Sequence, residues 1–138
     1  MTSIREATFA LNPWAGHALI LKMKNEYVRN IALDIILTIL TCGIYNLFVQ
    51  SAQINALNSM LQSQKYQFLH WLLFCLVTCG LYHIYHEYRM SEDIARLVGR
   101  DPGTDGLISV LLTSFGLHIV ADAIQQTHIN RFYGSTDL

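Results

Sequence analysis

Thr41-Cys42-Gly43-Ile44-Tyr45 and Thr78-Cys79-Gly80-Leu81-Tyr82 are two copies of one pattern, and their glycines stand 37 positions apart. A weaker third copy, Ser114-Phe115-Gly116-Leu117-His118, places its glycine 36 positions further on. Internal repetition at such a period marks a chain built from one supersecondary unit used several times. An apolar run precedes each glycine, at 31–40, 68–77 and 107–112. A shorter one follows it, at 44–49, 81–85 and 117–121, and then gives way to a polar, helix-like stretch.

Working outward, each whole apolar segment has about 17–19 residues, the short end of what crosses a bilayer. Asp34 is the acidic interruption, near the start of the first. Three kinked membrane spans are therefore expected, the glycine supplying the bend. The competing geometry is a half-depth hairpin, because ten residues of helix reach only ~15 Å, half the hydrocarbon thickness.

The polar stretches carry helical periodicity. Ile54, Leu57 and Leu61 recur in 50–64; Met90, Ile94, Leu97 and Val98 in 86–99; Ile124, His128, Ile129 and Phe132 in 122–133. Amphipathic helices trailing each apolar unit are expected, lying along the membrane or prolonging the spans. Asp101-Pro102-Gly103-Thr104-Asp105-Gly106 reads as a loop between the second and third units. The organisation is thus an N-terminal interfacial segment (1–27), one membrane domain of three units (28–64, 65–100, 107–134) and a tail (135–138).

Composition agrees with a lipid-facing protein. Apolar residues make up 52% of the 138 and charged residues 14%, with mean hydropathy +0.31; soluble domains average about 25% charged. The net charge of −1 offers no basic face for nucleic acid. Cys42, Cys75 and Cys79 are an odd number, all in apolar runs, and read as small buried thiols rather than a disulfide framework. No secretory leader is visible in the first 18 residues. Lys22, Lys24 and Arg29 before the first segment, with Arg89, Arg96 and Arg100 between the second and third, orient three spans with an inside N-terminus. The bacterial cytoplasmic membrane is expected, the outer membrane being the alternative.

In the repeated motif, Thr41, Gly43, Thr78, Gly80, Ser114 and Gly116 are small enough for helices to bend or pack closely in lipid. Trp14, Tyr45, Trp71, Tyr82 and Tyr85 suit an interfacial aromatic belt. The N-terminal segment, with Phe9, Leu11, Trp14 and Leu19 among polar residues, reads as an interfacial helix or strand, or as cover for a neighbouring subunit.

The Thr-x-Gly-Ile/Leu-Tyr step after an apolar run resembles the bacterial membrane domain-of-unknown-function family numbered 4234. The Gln125-Gln126…Asn130 ending is similar to that family's Gln-x-x-Leu-Asn close, and the likeness covers roughly residues 28–134. Two features depart from the family pattern: no Trp follows Tyr45 or Tyr82, and residues 1–27 form a longer N-terminal segment with Asn12-Pro13-Trp14. The resemblance implies a small helical membrane protein and brings no catalytic residues.

Chemistry-bearing constellations are sparse. His83, His86 and Glu87 share a helix face and read first as interfacial amphipathic residues beside Tyr85 and Tyr88, with a metal site as the lesser alternative; the spacing is not that of a metalloprotease. A His118–Asp122 pair, one turn apart, is a candidate ion or proton element or a local hydrogen bond. No phosphate-binding loop, nucleophile elbow or catalytic carboxylate pair is evident, and neither an enzyme nor a cofactor is expected. The polar residues Gln50, Asn55, His118, Asp122, Gln125 and Asn130 are expected at subunit contacts or along a pore. The first functional expectation is a homo-oligomer in the form of a ring that organises or encloses membrane lipid or shapes the membrane. The second is a channel lined by the polar helices, and the third is metal binding through His83 and His86.

Overall fold

A computed structural model describes residues 13–135, all helix and connecting turns. Phe9, Leu11 and residues 136–138 lie outside the described residues, as does the side chain of Trp14. The helices are α1 (Pro13–Tyr27), α2 (Ile31–Leu40), α3 (Ile44–Leu61), α4 (Phe68–Val77), α5 (Leu81–Val98), α6 (Pro102–Ser114) and α7 (His118–Phe132).

The threonine and glycine of the repeated motif divide the work of making a sharp turn. The Thr41 hydroxyl donates to Leu37 O (2.8 Å) and accepts from Tyr45 N–H (2.9 Å), so it closes α2 and caps α3. Thr78 does the same between Phe74 O (2.7 Å) and Tyr82 N–H (2.9 Å). Gly43 and Gly80 lie at φ 91° and 90°. A Cβ there would meet nothing within 4 Å, so the requirement is conformational, not a close helix contact. Gly80→Ala is expected to cost about 1–2 kcal/mol through backbone strain alone. Thermal melts in mild detergent check this; an unchanged melting temperature contradicts it.

The third turn is built differently. Gly116, at φ 75°, takes the left-handed position that Cys42 and Cys79 occupy at φ 51°. Leu117 N–H then reaches Leu112 O at 2.8 Å, as Gly43 N–H reaches Thr38 O. Ser114 is the last residue of α6 and does not cap α7.

These turns cut every expected span in two. No helix among the described residues is long and apolar enough to cross a membrane, which corrects the expectation of kinked full spans. Hydropathy had joined two helices of a hairpin into one segment because the turn residues are themselves apolar or small.

Helices α3, α5 and α7 touch pairwise and form an inner bundle. Each outer helix packs on its own successor and on the preceding inner helix: α2 on α3 and α7, α4 on α5 and α3, α6 on α7 and α5. The three units thus close into a ring about one axis. Hydrogen bonds among Gln50, Glu87 and Asp122, each six or seven residues past its glycine, put the inner helices side by side and parallel. All three turns therefore lie at one end, the tip, and the inter-unit connections lie at the other, the base.

The trailing helices were expected along the membrane surface or as prolongations of the spans; each does continue the helix that follows its glycine, and together they form the interior of the fold. Inward positions recur at three- and four-residue steps: Gln50, Gln53 and Leu57 on α3; Glu87, Met90 and Ile94 on α5; Asp122, Gln125 and Ile129 on α7. The base half holds the apolar core, with Ile54, Leu57, Met90, Ile94 and Ile129 against Tyr66 and Trp71.

Two loop-related readings also change. The stretch 101–106, read as a loop, is the start of α6: Asp101 accepts from Thr104 N–H at 2.8 Å, and Pro102 takes the first helical position. Gly106 inside this helix is a contact residue, since a Cβ would lie 2.7 Å from the Tyr88 ring. Helix α1 packs on α3 and α7 of its own chain.

Paired asparagines lock the ring at the base. Asn58 accepts from Tyr66 N–H (2.9 Å) and donates to Tyr66 O (2.6 Å). Asn130 accepts from Arg29 N–H (3.0 Å) and donates to Arg29 O (2.8 Å). Tyr66 and Arg29 each stand two residues before an outer helix. Asn58 thereby ties α3 to the entry of α4, and Asn130 ties α7 back to the entry of α2. At the corresponding place on α5 stands Ala95, where the connection is short and Arg100 N–H bonds Ala95 O directly at 2.8 Å.

Candidate functional site

The tip half reverses the usual arrangement of polar and apolar groups. No Asp, Glu, Lys or Arg occurs in residues 35–64, 66–86 or 106–121. The tips expose large apolar side chains instead: Val77 and Phe115 are 80% accessible, and Leu40, Ile44, Leu81 and Leu117 are also exposed. Beneath this collar the inner helices bury Asn46, Gln50, Gln53, His86, Glu87, Asp122 and Gln125. Exposed charges such as Lys65, Arg96, Arg100 and Arg131 sit at the base.

The centre of the buried layer is a pair of carboxyl groups. Gln50 Nε2 bridges them, donating to Glu87 Oε1 (2.8 Å) and Asp122 Oδ1 (2.7 Å). Gln125 Nε2 donates to Glu87 Oε2 (2.5 Å) and to Ser91 Oγ (3.0 Å). Ser91 and Ser109 hydroxyls share a further hydrogen bond. Gln53 Nε2 donates to the backbone oxygen of Asp122 at 2.9 Å.

Among the described residues no basic side chain forms an ion pair with Asp122, and only His83 comes near Glu87. His83 Nδ1 is 3.8 Å from Glu87 Oε1, but it accepts the Trp71 indole N–H at 3.3 Å and so carries no proton to give. Burial, reinforced by His118, takes His83 down to about 4. Burial, then His83, takes His86 to about 3. Burial pushes Glu87 up to about 7, against the opposing pull of Gln50 and Gln125. Burial, then the charge of Glu87, holds Asp122 well above the ordinary carboxyl range, although Asn46 and Gln50 pull it down. Two carboxyls this close in a dry interior share protons instead of both ionising near neutrality.

The sign of the pH dependence follows. Stability tied to a neutral Glu87 is complete below its ordinary value of 4.5 and is lost as pH rises through about 7. The depressed histidines act oppositely: their contribution is present above 6.5 and lost as pH falls through about 4 and 3. Glu87→Gln isolates the first effect. Its stability relative to wild type is expected to grow between pH 4.5 and 7, by roughly 3 kcal/mol at most. Melting both proteins across that range would refute this if the gap were constant or narrowed with pH.

The residues singled out in the sequence scatter across this arrangement. Gln50, Asp122 and Gln125 meet in the buried layer, and Asn130 serves the base lock. Asn55 is exposed near the base. His118 packs its ring on His83 at 5.8 Å, and no hydrogen bond joins it to Asp122. Trp71, expected in an interfacial belt, is buried with 6% exposure against Phe68, His83 and His86. Tyr45 takes part in an ion pair, its hydroxyl 3.0 Å from Arg29 Nη2 and 3.3 Å from Asp34 Oδ1, while Arg29 and Asp34 meet at 2.6 Å. Tyr82 is half-buried against Phe74 and His86, and Tyr85 is exposed. Cys42 and Cys79, read as buried thiols, are exposed at the tip; Cys75 is half-buried. Among the described residues no group of three or more His, Cys, Asp or Glu side chains is placed to hold a metal ion.

Gln53 and Asn58 were not singled out in the sequence, and Gln126 entered only through the family likeness. One signal was available: Gln53…Leu57-Asn58 and Gln125…Ile129-Asn130 share a spacing, and that spacing marks inner-helix residues reaching a neighbouring unit.

Fold and site together define a small all-helical bundle with a polar interior under an apolar tip. Residues 66–127 match the model of the family described as Domain of unknown function (DUF4234), the family that the repeated motif resembles. The match spans the second unit and most of the third, and the first unit lies outside it. Comparison with curated proteins and with solved structures found no match for the chain.

Proposed function

We propose that this is a non-enzymatic membrane protein that inserts its three helical tips into one leaflet and, as a homo-oligomer, organises the lipid around it. The observation that carries this reading is the reversed polarity of the tip half. A contiguous apolar collar without charge is what lipid accepts, and polar groups beneath it must find partners inside the protein. The depth is consistent: the ten residues of α2 and of α4 give ~15 Å, one leaflet of hydrocarbon. The finer features expected from sequence fit this reading as half-depth units, each bent at its motif.

Association between copies rests on the breadth of the collar, which extends down α2 through Leu33 and Ile36. It does not rest on the polar residues first expected at subunit contacts, because Gln50, Asp122, Gln125 and Asn130 find partners within one chain.

The test uses Cys79, exposed at a tip. A bimane label on it, with Cys42 and Cys75 replaced by Ser, is expected to be quenched by lipids brominated at mid-chain in proteoliposomes. Labelling of Cys79 by a membrane-impermeant maleimide in intact vesicles would refute insertion. Light scattering of the detergent-solubilised protein tests the oligomer, and a monomer in several mild detergents would remove that part. The buried polar layer also supports a second reading, ion passage through the assembly; ion flux in liposomes, lost in Asp122→Ala, distinguishes it.

A further inference from the structure

At the base, a cleft of about 330 Å³ lies between the ends of α5 and α7, lined by Val98, Arg100, His128, Arg131 and Phe132. A smaller seam of about 140 Å³ continues from it toward the tip, sharing Arg100 and His128. Ile94 of α5, Ile108 of α6 and Ile124 of α7 wall the seam, and Ser91, Ser109 and Gln125 close its inner end. Ile108 and Ile124 are 39% and 37% exposed, so the seam opens outward between α6 and α7. Its accessible surface is mainly apolar, and an apolar space of this size takes up an apolar guest in preference to water.

The cleft is basic on balance. Arg100 holds Asp105 with Nε and Nη2, at 2.7 and 2.9 Å, which leaves Nη1 turned away from that carboxylate. Asp101, its chain neighbour, is turned to Thr104 at the start of α6. Arg131 is exposed, and among the described residues no carboxylate pairs with it. By contrast, Arg29 is matched by Asp34, Lys65 and Arg96 by Asp93, and Arg89 by Glu92. His128 registers the excess: burial, then Arg100, with Arg131 added against the opposing Asp105, holds its imidazole below the ordinary range. Its Nε2 is buried without a hydrogen-bond partner, 3.7 Å from Asp105 Oδ2.

Two guanidinium groups at one cleft suit a phosphate group, whose oxygens accept from their forked donors. The seam behind them favours a lipid over free phosphate, because only a lipid brings a chain to fill it. The depth agrees. Helices α6 and α7, of 13 and 15 residues, rise ~20 Å from one end to the other, half the thickness of a bilayer with its headgroups. With the tips near the midplane, Arg100 and Arg131 stand at the level of the lipid phosphates, and Ile108 and Ile124 stand among the chains.

We infer that the cleft and seam form a binding site for one anionic phospholipid, its phosphate held by Arg100 and Arg131 and part of an acyl chain lying between Ile108 and Ile124. Asp105 is the positioning residue for Arg100. The inference rests on the membrane reading and deepens it, naming the class of lipid that the third unit selects.

Purified protein in mild detergent is titrated with phosphatidylglycerol, and the retained lipid is counted by native mass spectrometry. One phosphatidylglycerol per chain is expected. Phosphatidylcholine, whose cationic group meets the same arginines, should bind at least roughly fivefold more weakly. Arg131→Gln, a surface change that leaves the fold intact, removes a charge-assisted bond and should weaken phosphatidylglycerol about tenfold or more. Ile124→Trp, which fills the seam, should weaken it as well. Equal retention of the two lipids, or undiminished phosphatidylglycerol binding in Arg131→Gln, overturns the inference. Displacement of the lipid by inorganic phosphate, with Ile124→Trp binding as wild type does, also overturns it and leaves free phosphate as the ligand. The detergent titration does not require insertion. Flotation with pure phosphatidylcholine vesicles tests insertion separately and should be the same for wild type and Arg131→Gln, so the site and the membrane reading can fail independently.

Discussion

A chain carrying both Ile44→Asp and Leu81→Asp is expected to fold normally and to lose its hold on bilayers. The two side chains are 65% and 71% exposed, so neither contributes much to the core. Each is the first residue of its helix, α3 or α5, where a carboxylate is favoured by the helix dipole. The cost therefore falls on membrane partition. Withdrawing a buried Leu or Ile from lipid forfeits about 1.5–3 kcal/mol, and placing a carboxylate at hydrocarbon depth adds a penalty of similar size. At roughly 3 kcal/mol per site, each substitution should lower partition more than 100-fold. Flotation of the double variant with liposomes, alongside far-ultraviolet circular dichroism, makes the measurement. Asn55→Asp, exposed near the base, is the control and should float as wild type does. If the double variant stays bound while folded, the collar is not the lipid-facing surface.

The second large effect is expected at the base. Asn130→Ala removes two hydrogen bonds to the backbone of Arg29 and strands the Arg29 N–H and carbonyl at the junction of α7 with α2. Gln126 Nε2 loses one of its two acceptors as well. Leaving buried backbone groups unpaired costs more than the bonds contribute, about 1–3 kcal/mol per group before relaxation. A loss of roughly 2–4 kcal/mol is therefore expected, lowering the melting temperature by about 10 °C for a domain of this size. Asn58→Ala should behave alike through Tyr66. Asn55→Ala, on the same helix as Asn58 but exposed, should change little. Losses below 1 kcal/mol at both Asn58 and Asn130 would show that the ring is closed by apolar packing alone.

How far the sequence could be read differs along each unit. The existence of the helices followed from apolar runs and three-to-four periodicity. The motif's importance followed from its recurrence, and the family likeness rested on the same residues. Hydropathy could not show that a unit is a hairpin. Thr41, Gly43 and Ile44 suit a membrane helix as well as a turn; the difference is a hydroxyl that caps Tyr45 and a φ of 91° at Gly43. Nor could it place the trailing helices. Ile54, Leu57, Met90 and Ile94 were rightly read as one apolar face, but Gln50, Gln53 and Glu87 fall on that same face nearer the tip. A reading that assigns polar residues outward sends them to the surface. Glu87 was noticed only as a neighbour of His83 and His86, whereas its partners are Gln50 and Gln125, 37 and 38 positions away.

From the sequence alone came three related helical units, the motif at each bend and the scarcity of charge. These rest on local periodicity, composition and recurrence, which the chain carries without reference to its neighbours in space. Tertiary structure alone decided that the units close into a ring, that Asn58 and Asn130 lock two of its seams, and that Glu87 and Asp122 share one glutamine. It also decided which side of each inner helix faces inward. The cause is that the tip half buries its hydrogen-bonding groups and exposes its apolar ones. Only the pairing of distant residues can reveal that inversion.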